Sequence, residues 1–383
     1  MAVVPPGVLW YNSRGVLRRG NAPQTDVRTE RTKDMLLEKT IAEIVPLDQA
    51  AMDAAWRHWD SIAKPLRSLG KLEKAVVQIA GIQGSSKVDI GKKALLVLCA
   101  DNGVVEEGVT QTGQEVTAQV AENFLQEKAT AGILCRKTGA DIFPVDMGIY
   151  RDTAIRNCKI AYGTKNMTKG PAMSREQAVQ GLETGIRLAM EKKEEGYQIL
   201  ATGEMGIGNT TTSSAMASVF LGKPAEELTG RGAGLSSEGL NRKIHAIQKA
   251  IRLNRPDPED PVDVLAKVGG FDIAGMAGVF LGGAAMHMPV VIDGFISCVA
   301  ALTAIRLCPR AADYMMASHV SKEPAAKMLL KAIGKEAFLT CEMCLGEGSG
   351  AVMLFPLLDM GLEVYRKMAT FEENDIETYV PLS

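Results

Sequence analysis

The spacing of apolar positions changes along the chain, and this change predicts the fold. From residue 36 to about residue 84 apolar side chains recur at every third or fourth position, as in Met52, Ala55 and Trp59, which predicts helices. Beyond that point short continuous apolar runs end in Gly or Asp, and each precedes a longer segment of helical period. This alternation is typical of parallel β/α units, whose sheets are covered on both faces.

Five strands are predicted from these runs, at 94–99, 141–145, 198–201, 288–292 and 314–317. Each run is followed by polar residues, usually with a glycine. An open parallel sheet binds ligands at the carboxyl ends of its strands, so the five polar segments predict one crevice. We therefore expect an α/β protein with a parallel sheet flanked by helices.

The same patterns divide the chain into regions. Residues 1–34 lack apolar periodicity and are expected to be a disordered extension; because Met35 opens a helix-like segment, translation could also start there. Residues 35–85 are predicted to form the helical part of a small domain and residues 86–335 a large α/β domain. Residues 336–383 are predicted to hold an active-site loop and C-terminal helices that pack on the small domain.

Composition narrows the range of partners. The 383 residues include 43 basic and 45 acidic side chains, so no charge bias favours nucleic acid or anionic lipid, and a small ligand is expected. No run approaches the roughly 20 apolar residues of a membrane span. The seven cysteines are scattered, mostly within apolar runs, which is typical of reduced, buried thiols in a cytoplasmic protein.

A glycine loop at 201–212 joins a strand end to a helix start. Glycines let the backbone approach a ligand, and the positive end of a helix attracts an anion, so a phosphate site is predicted. The alternative is that Asn209 and Thr210 merely cap the helix. The loop matches neither a Walker motif nor a dinucleotide fingerprint. Its candidate binding residues are Glu204, Gly206, Gly208, Asn209, Thr210 and Thr211.

A second glycine turn, 345–350, places Glu347 between glycines at a helix start, followed by Gly348 and Ser349. Apolar Met343 and Leu345 are expected to desolvate the carboxylate partly, which raises its proton affinity and suits a general base. The alternative is an acid that interacts only with the helix dipole.

Three further features allow two interpretations each. Cys341 and Cys344 could be half of a metal site or a redox pair, but no histidine falls at ligand spacing, so buried thiols, no metal and no cofactor are expected. Glycine-rich stretches at 230–234 and 267–278 suit either ligand binding or close helix packing. Lys243 is either a counter-ion for an anionic substrate or a solvated surface lysine.

Four segments, 100–104, 202–211, 268–272 and 345–350, resemble the nicotinate-nucleotide:dimethylbenzimidazole phosphoribosyltransferase family, in the same order and within residues 40–370. The resemblance implies a homodimer whose large domain is Rossmann-like and whose small domain combines helices from both chain ends. It implies that Glu347 is the catalytic base, that 202–211 binds the nucleotide phosphate and ribose, and that Lys243 belongs to the active site. Ser318, which follows the last predicted strand, is a further candidate substrate-binding residue.

The resemblance also implies the reaction. Phosphoribose would pass from nicotinate mononucleotide to 5,6-dimethylbenzimidazole or a related base, releasing nicotinate and forming α-ribazole 5′-phosphate for the lower ligand of cobalamin. The chain departs from the family pattern at three positions: the family commonly has His at Asn102, often Ser at Thr112 and, in some members, Gln at Val120. These positions concern the base, so the acceptor could be a benzimidazole, adenine or a phenol. A nucleotide-binding regulator without turnover and a dehydrogenase are the alternatives.

Overall fold

The computed structural model of the chain describes residues 10–11, 17–18, 34–126 and 128–379. Its α-helices are α1 (Asp34–Glu43), α2 (Gln49–Ser61), α3 (Lys71–Gln83), α4 (Glu115–Leu125), α5 (Thr130–Thr138), α6 (Arg175–Glu194), α7 (Asn209–Leu221), α8 (Ala225–Leu228), α9 (Ser237–Asn254), α10 (Pro261–Val268), α11 (Phe271–Ala285), α12 (Phe295–Leu307), α13 (Ala326–Ala332) and α14 (Ser349–Lys367). Its strands are β1 (Trp10–Tyr11), β2 (Leu17–Arg18), β3 (Lys93–Ala100), β4 (Ala140–Gly148), β5 (Arg156–Asn157), β6 (Ile199–Met205), β7 (Val290–Ile292) and β8 (Met315–Ala317).

Six strands form one sheet in the order β5-β4-β3-β6-β7-β8, and every pair in it is parallel. The predicted α/β fold and its five strands are confirmed. The sixth strand, β5, was not predicted because it has two residues, both exposed, and therefore carries no apolar signal.

Both faces of the sheet are buried, as the continuous apolar runs predict. Along β3, Ala94, Leu96 and Leu98 face a core shared with α6, α11 and α12. Leu95, Val97 and Cys99 face a second core shared with α2, α3 and α14. This alternation follows from the two-residue period of a strand.

Close helix packing explains the glycine-rich stretch at 267–278. On α11, a Cβ atom at Gly278 would overlap the carbonyl oxygen of Leu182 on α6. On α6, a Cβ atom at Gly185 would overlap the carbonyl oxygen of Gly275. The two backbones therefore touch at these glycines, and the packing interpretation of this stretch is confirmed.

Helix α2, in the N-terminal part of the chain, packs against the C-terminal helix. Tyr365 on α14 packs edge-on against Trp59 on α2, with ring centroids 5.0 Å apart, and Ile62 bridges to Thr370. A small domain built from both chain ends, with boundaries near residues 85 and 335, stays a prediction. Most of the predicted disordered extension, 1–34, lies outside the described residues; within it β1 pairs antiparallel with β2. Within the part of the chain that the structure describes, no helix is long and apolar enough to cross a membrane.

Candidate active site

A cavity of about 350 Å³ opens at the carboxyl ends of β6, β7 and β8. This volume lies at the lower end of the range typical of small-molecule sites. Three of the five predicted polar segments line it, through Glu204, Asp293 and His319. The segments after β3 and β4 do not, and the expectation that all five converge is wrong there. Their carboxylates serve the fold instead: Asp101 accepts from Thr117 Oγ1 at 2.6 Å, and Asp146 pairs with Lys159 Nζ at 2.9 Å.

Glu347 projects into the cavity from a tight backbone turn. Gly346, Glu347 and Gly348 are all left-handed, with φ of 91°, 61° and 81°. Such a φ costs a non-glycine residue free energy and is a feature of functional sites. The half-buried carboxylate accepts a hydrogen bond through Oε2 from Ala131 N, at the start of α5, at 3.0 Å. Burial raises the pKa of Glu347, and the N–H groups of Ala131 and Thr130 oppose that shift.

Helix α5 approaches the carboxylate of Glu347 at Ala131. Of the two apolar neighbours predicted to desolvate Glu347, Met343 is half-buried and Leu345 is 56% exposed. A carboxylate of raised pKa that still has an open side can accept a proton from a substrate.

Asp293, after β7, holds the turn that carries Glu347. Its Oδ1 accepts from Gly350 N at 2.8 Å and Ala351 N at 3.0 Å, and its Oδ2 accepts from Gly348 N at 3.2 Å. The carboxylate therefore satisfies backbone donors at the N-terminus of α14. Burial raises the pKa of Asp293 to about 7 despite these donors. Asp293 is thus the link between the sheet and the turn of Glu347.

A second group of buried acids lies behind the glycine loop. The Asn209 amide donates through Nδ2 to Glu204 Oε2 and, at 2.9 Å, to Asp272 Oδ2. Burial raises the pKa of Glu204 to about 8 and that of Asp272 to about 7, and Asp272 adds to the shift at Glu204. Burial and the neighbouring carboxylate of Asp272 therefore favour the protonated form of Glu204, which lines the cavity.

We expect the stability of the protein to fall as pH rises, because of these buried acids. Glu204, Asp272 and Asp293 have folded-state pKa values of about 8, 7 and 7, against ordinary values of 4.5, 3.8 and 3.8. Between about pH 4 and pH 8 the folded chain holds protons that the unfolded chain has released, so the free energy of unfolding falls across this interval. Urea unfolding at several pH values measures this slope. It should be shallower in Glu204→Gln, and equal slopes in both proteins would contradict the assignment.

Lys243 is buried, so the interpretation as a solvated surface lysine is wrong. Its Nζ donates to Thr210 Oγ1 at 2.9 Å and to Gly230 O at 3.1 Å. Burial lowers the pKa of Lys243 to about 8, and the carboxylate of Glu323 opposes that shift. Because Thr210, Gly232 and Glu323 line the cavity, the ammonium group lies one side chain behind its wall.

The structure separates the predicted site residues into two groups. Those that line the cavity are Thr112, Val120, Glu204, Gly206, Asn209, Thr210 and Glu347. Those that do not are Gly208, Thr211, Lys243, Ser318, Gly348 and Ser349. Three residues of the second group donate to residues that line the cavity: Lys243 Nζ to Thr210 Oγ1 at 2.9 Å, Ser349 Oγ to Gly346 O at 2.8 Å and Ser318 Oγ to Asp293 O at 3.2 Å.

The glycine loop does not owe its sequence to capping. The N-cap of α7 is Gly208, which makes no side-chain capping bond, so the alternative in which Asn209 and Thr210 only cap the helix is wrong. Gly206 has a structural role in addition to lining the cavity, since a Cβ atom there would overlap the carbonyl oxygen of Ala100. Substitution of Gly206 would therefore disturb the fold as well as any ligand.

The chain matches a known family. The Phosphoribosyltransferase family model covers residues 44–376. The chain belongs to this phosphoribosyltransferase family. It is 47% identical over 349 residues to the nicotinate-nucleotide–dimethylbenzimidazole phosphoribosyltransferase of Acetivibrio thermocellus, covering 90% of this chain and 99% of that relative. It is 47% identical over 351 residues to the protein of the same name from Ruminiclostridium cellulolyticum, covering 91% and 100%.

A solved structure extends the similarity to three dimensions. The crystal structure of nicotinate-nucleotide–dimethylbenzimidazole phosphoribosyltransferase from Thermus thermophilus matches with a TM-score of 0.81 at 36% identity, over 86% of this chain and 99% of that one. The chain is therefore a transferase that acts on small molecules. Of the three positions predicted to depart from the family pattern, Thr112 and Val120 line the cavity and Asn102 does not.

Sequence reasoning missed several residues of this phosphoribosyltransferase site. Glu323, Phe295 and Val116 line the cavity, and none of them belongs to a glycine motif. His319 also lines it, and burial lowers its pKa, so the imidazole is neutral near pH 7. The pair Ser318-His319 after the last predicted strand was the available signal, but Ser318 was the predicted site residue and His319 is the one that lines the cavity.

The two cysteines upstream of Glu347 are not buried. Cys341 and Cys344 are both exposed, so the expectation of buried thiols is wrong for this pair. The segment that holds them lies on the surface at the mouth of the cavity, and Cys344 lines it. In the described ranges, no group of three or more His, Cys, Asp or Glu side chains is arranged to hold a metal ion.

Proposed function

We propose that this protein transfers the phosphoribosyl group of nicotinate mononucleotide to dimethylbenzimidazole or a related nitrogen base. The observation that carries the proposal is the position of Glu347, a half-buried carboxylate of raised pKa that lines a cavity at the strand ends. The relatives named above support the substrate pair. The products are nicotinate and α-ribazole 5′-phosphate, an intermediate in the assembly of the lower ligand of cobalamin.

The mechanism needs one proton acceptor. In the mononucleotide the ring nitrogen bonded to C1′ is cationic, so nicotinate leaves as a neutral ring without protonation by the protein. One nitrogen of the entering benzimidazole attacks C1′ from the opposite face, and the other loses its proton to Glu347. A positioned base of this kind contributes about 10²- to 10⁴-fold to the rate. Attack opposite the leaving group converts the β-glycosidic bond into an α one.

The nucleotide half of the site is assigned to the glycine loop and α7. Gly206, Asn209 and Thr210 line the cavity at the N-terminus of a helix, where the dipole favours an anion. Lys243 lies behind Thr210, and its positive charge attracts the phosphate. The protonated carboxyl of Glu204 supplies a donor for a substrate oxygen.

The acceptor half is assigned to α4 and the segment before it. Thr112, Val116 and Val120 line one wall of the cavity, and the latter two are apolar side chains one helical turn apart. A flat aromatic ring fits such a wall. An apolar wall separates rings that differ by a methyl group by only about 1 to 3 kcal/mol, so several benzimidazoles should react.

We expect Val120→Gln to change the preference among acceptor bases. The glutamine amide needs a hydrogen-bond partner, and a base that offers none leaves it unpaired. The binding free energy lost in this way differs between bases. The Michaelis constant for nicotinate mononucleotide should stay within about twofold, since the nucleotide is held at the other strand ends. Competition assays with mixed bases measure the ranking, and Val120→Ile is the matched apolar control. An unchanged ranking in Val120→Gln would remove Val120 from the acceptor pocket.

The decisive experiment is turnover by the purified chain. Incubation with nicotinate mononucleotide and a panel of bases should release nicotinate in proportion to the α-glycoside formed. A nucleotide-binding regulator would bind the mononucleotide in calorimetry and release none. The same preparation tests two further parts of the proposal: we infer a homodimer that works in the cytoplasm, and sedimentation of the active protein reports its oligomeric state.

A further inference from the structure

Two exposed thiols stand next to the catalytic turn. Cys341 and Cys344 are exposed, whereas the other five cysteines are buried or half-buried. Cys344 lines the cavity three residues before Glu347, and the chemistry proposed above uses neither thiol. We propose that Cys341 and Cys344 form a modification site, a thiol pair whose oxidation to a disulfide moves Glu347 out of its catalytic position. The effect on catalysis rests on the proposed function.

The two thiols are suited to react with each other. Two residues separate them, so the ring that a disulfide closes is short and the loss of loop entropy is small. Both are accessible to a dissolved oxidant, and accessibility is one condition for selective thiol oxidation. In the described part of the chain the two thiols belong to no group of three or more metal-ligating side chains.

Disulfide formation constrains the backbone between the two thiols. A disulfide holds its two Cα atoms about 4.4 to 6.8 Å apart, which for this spacing means a turn across Glu342 and Met343. Glu342 is already left-handed, with φ of 52°, but the segment from residue 342 to residue 346 forms no turn, helix or strand. It is attached to the body of the protein by a hydrogen bond from Lys322 N to Met343 O at 2.9 Å. A turn at this point pulls on that attachment and redirects the chain that follows.

The chain that follows is the catalytic turn. Leu345 and Gly346 alone separate Cys344 from Glu347, and the Gly346 carbonyl accepts from Ser349 N at 3.0 Å and Ser349 Oγ at 2.8 Å. Redirection at Cys344 therefore acts on the left-handed turn and on the bond between Glu347 Oε2 and Ala131 N. A displacement of about 1 Å in a catalytic group can cost about 10²-fold in rate.

The oxidation balances with a two-electron oxidant of the azo class. Two S–H bonds break and one S–S bond forms between Cys341 and Cys344. The two electrons and two protons pass to the N=N group of the oxidant, which becomes a hydrazine. A dithiol reverses the step by thiol–disulfide exchange, in which it is itself oxidised to a cyclic disulfide.

The test uses the full chain treated with diamide and then with dithiothreitol. We expect peptide mapping to find Cys341 linked to Cys344 after diamide, and kcat to fall roughly tenfold or more. Dithiothreitol should restore kcat. Cys341→Ser cannot form the link and does not line the cavity, so its activity should be unchanged before and after diamide. Cys158→Ser, a half-buried thiol elsewhere, should behave like the wild type.

Each alternative outcome has a definite meaning. A missing Cys341–Cys344 peptide overturns the proposal whether or not the protein turns over. A linked protein that keeps its kcat within twofold overturns the coupling to Glu347, and equal inactivation of Cys341→Ser assigns the effect to another thiol. Turnover of the reduced protein is measured first, so its absence there counts against the transferase alone.

Discussion

Glu347→Gln is expected to retain binding of nicotinate mononucleotide and to lose about 10²- to 10⁴-fold in kcat with benzimidazole acceptors. Glutamine preserves the shape of the side chain and can still accept from Ala131 N, but it cannot take up a proton from the acceptor base. The fold and the nucleotide site should therefore be unaffected. Calorimetry with the mononucleotide and steady-state turnover with the base measure the two effects separately.

The pH dependence of kcat/KM for the acceptor base provides a second measurement on the same variant. Burial raises the pKa of Glu347 in the unliganded protein, and the base must be ionised to act, so kcat/KM of the wild type should fall as pH decreases through that raised pKa. The residual turnover of Glu347→Gln should lack this fall. Glu342→Gln is the matched control, because Glu342 is an exposed acid on the same segment that does not line the cavity. Full turnover in Glu347→Gln would remove Glu347 from the proton-acceptor role.

The sequence identified Glu347 as the candidate base because its signal is local. Glu347 lies between glycines, and such a turn at a helix start is visible without knowledge of any other segment. The five strands were visible for the same reason, since a strand buried on both faces needs a continuous apolar run. The predicted phosphate loop combined both signals.

What the sequence could not show depends on contacts between distant segments. The hydrogen bonds of Asp293 reach residues more than 50 positions away, and the burial of Lys243 arises from the packing of α9 against α7. Cys341 and Cys344 show the reverse error. Their apolar neighbours in the sequence predicted burial, but both thiols are exposed in the structure. Local composition therefore predicted elements and motifs, and long-range packing decided which residues support them.

Asp293 follows a buried strand and precedes Gly294. Polar residues follow most strands of this sheet, so the sequence does not show that Asp293 holds the turn of Glu347. In the structure it is fully buried and accepts three backbone N–H groups from the turn and helix that carry Glu347. In Asp293→Asn one of the two acceptor oxygens becomes an NH₂ group. Whichever way the amide is oriented, that group faces a backbone donor.

We expect Asp293→Asn to lower both stability and kcat. A buried donor left without an acceptor costs about 1 to 3 kcal/mol, and a shift of Glu347 by a fraction of an ångström should lower kcat roughly ten- to a hundredfold. Affinity for the mononucleotide should change less than kcat if Asp293 acts by positioning Glu347. Asp313→Asn, at an exposed acid before β8, should change stability by less than about 0.5 kcal/mol. Urea unfolding, calorimetry and turnover of both variants measure these effects. Equal losses in affinity and kcat would mean that Asp293 contacts the nucleotide itself, and wild-type values throughout would show that the turn is held without it.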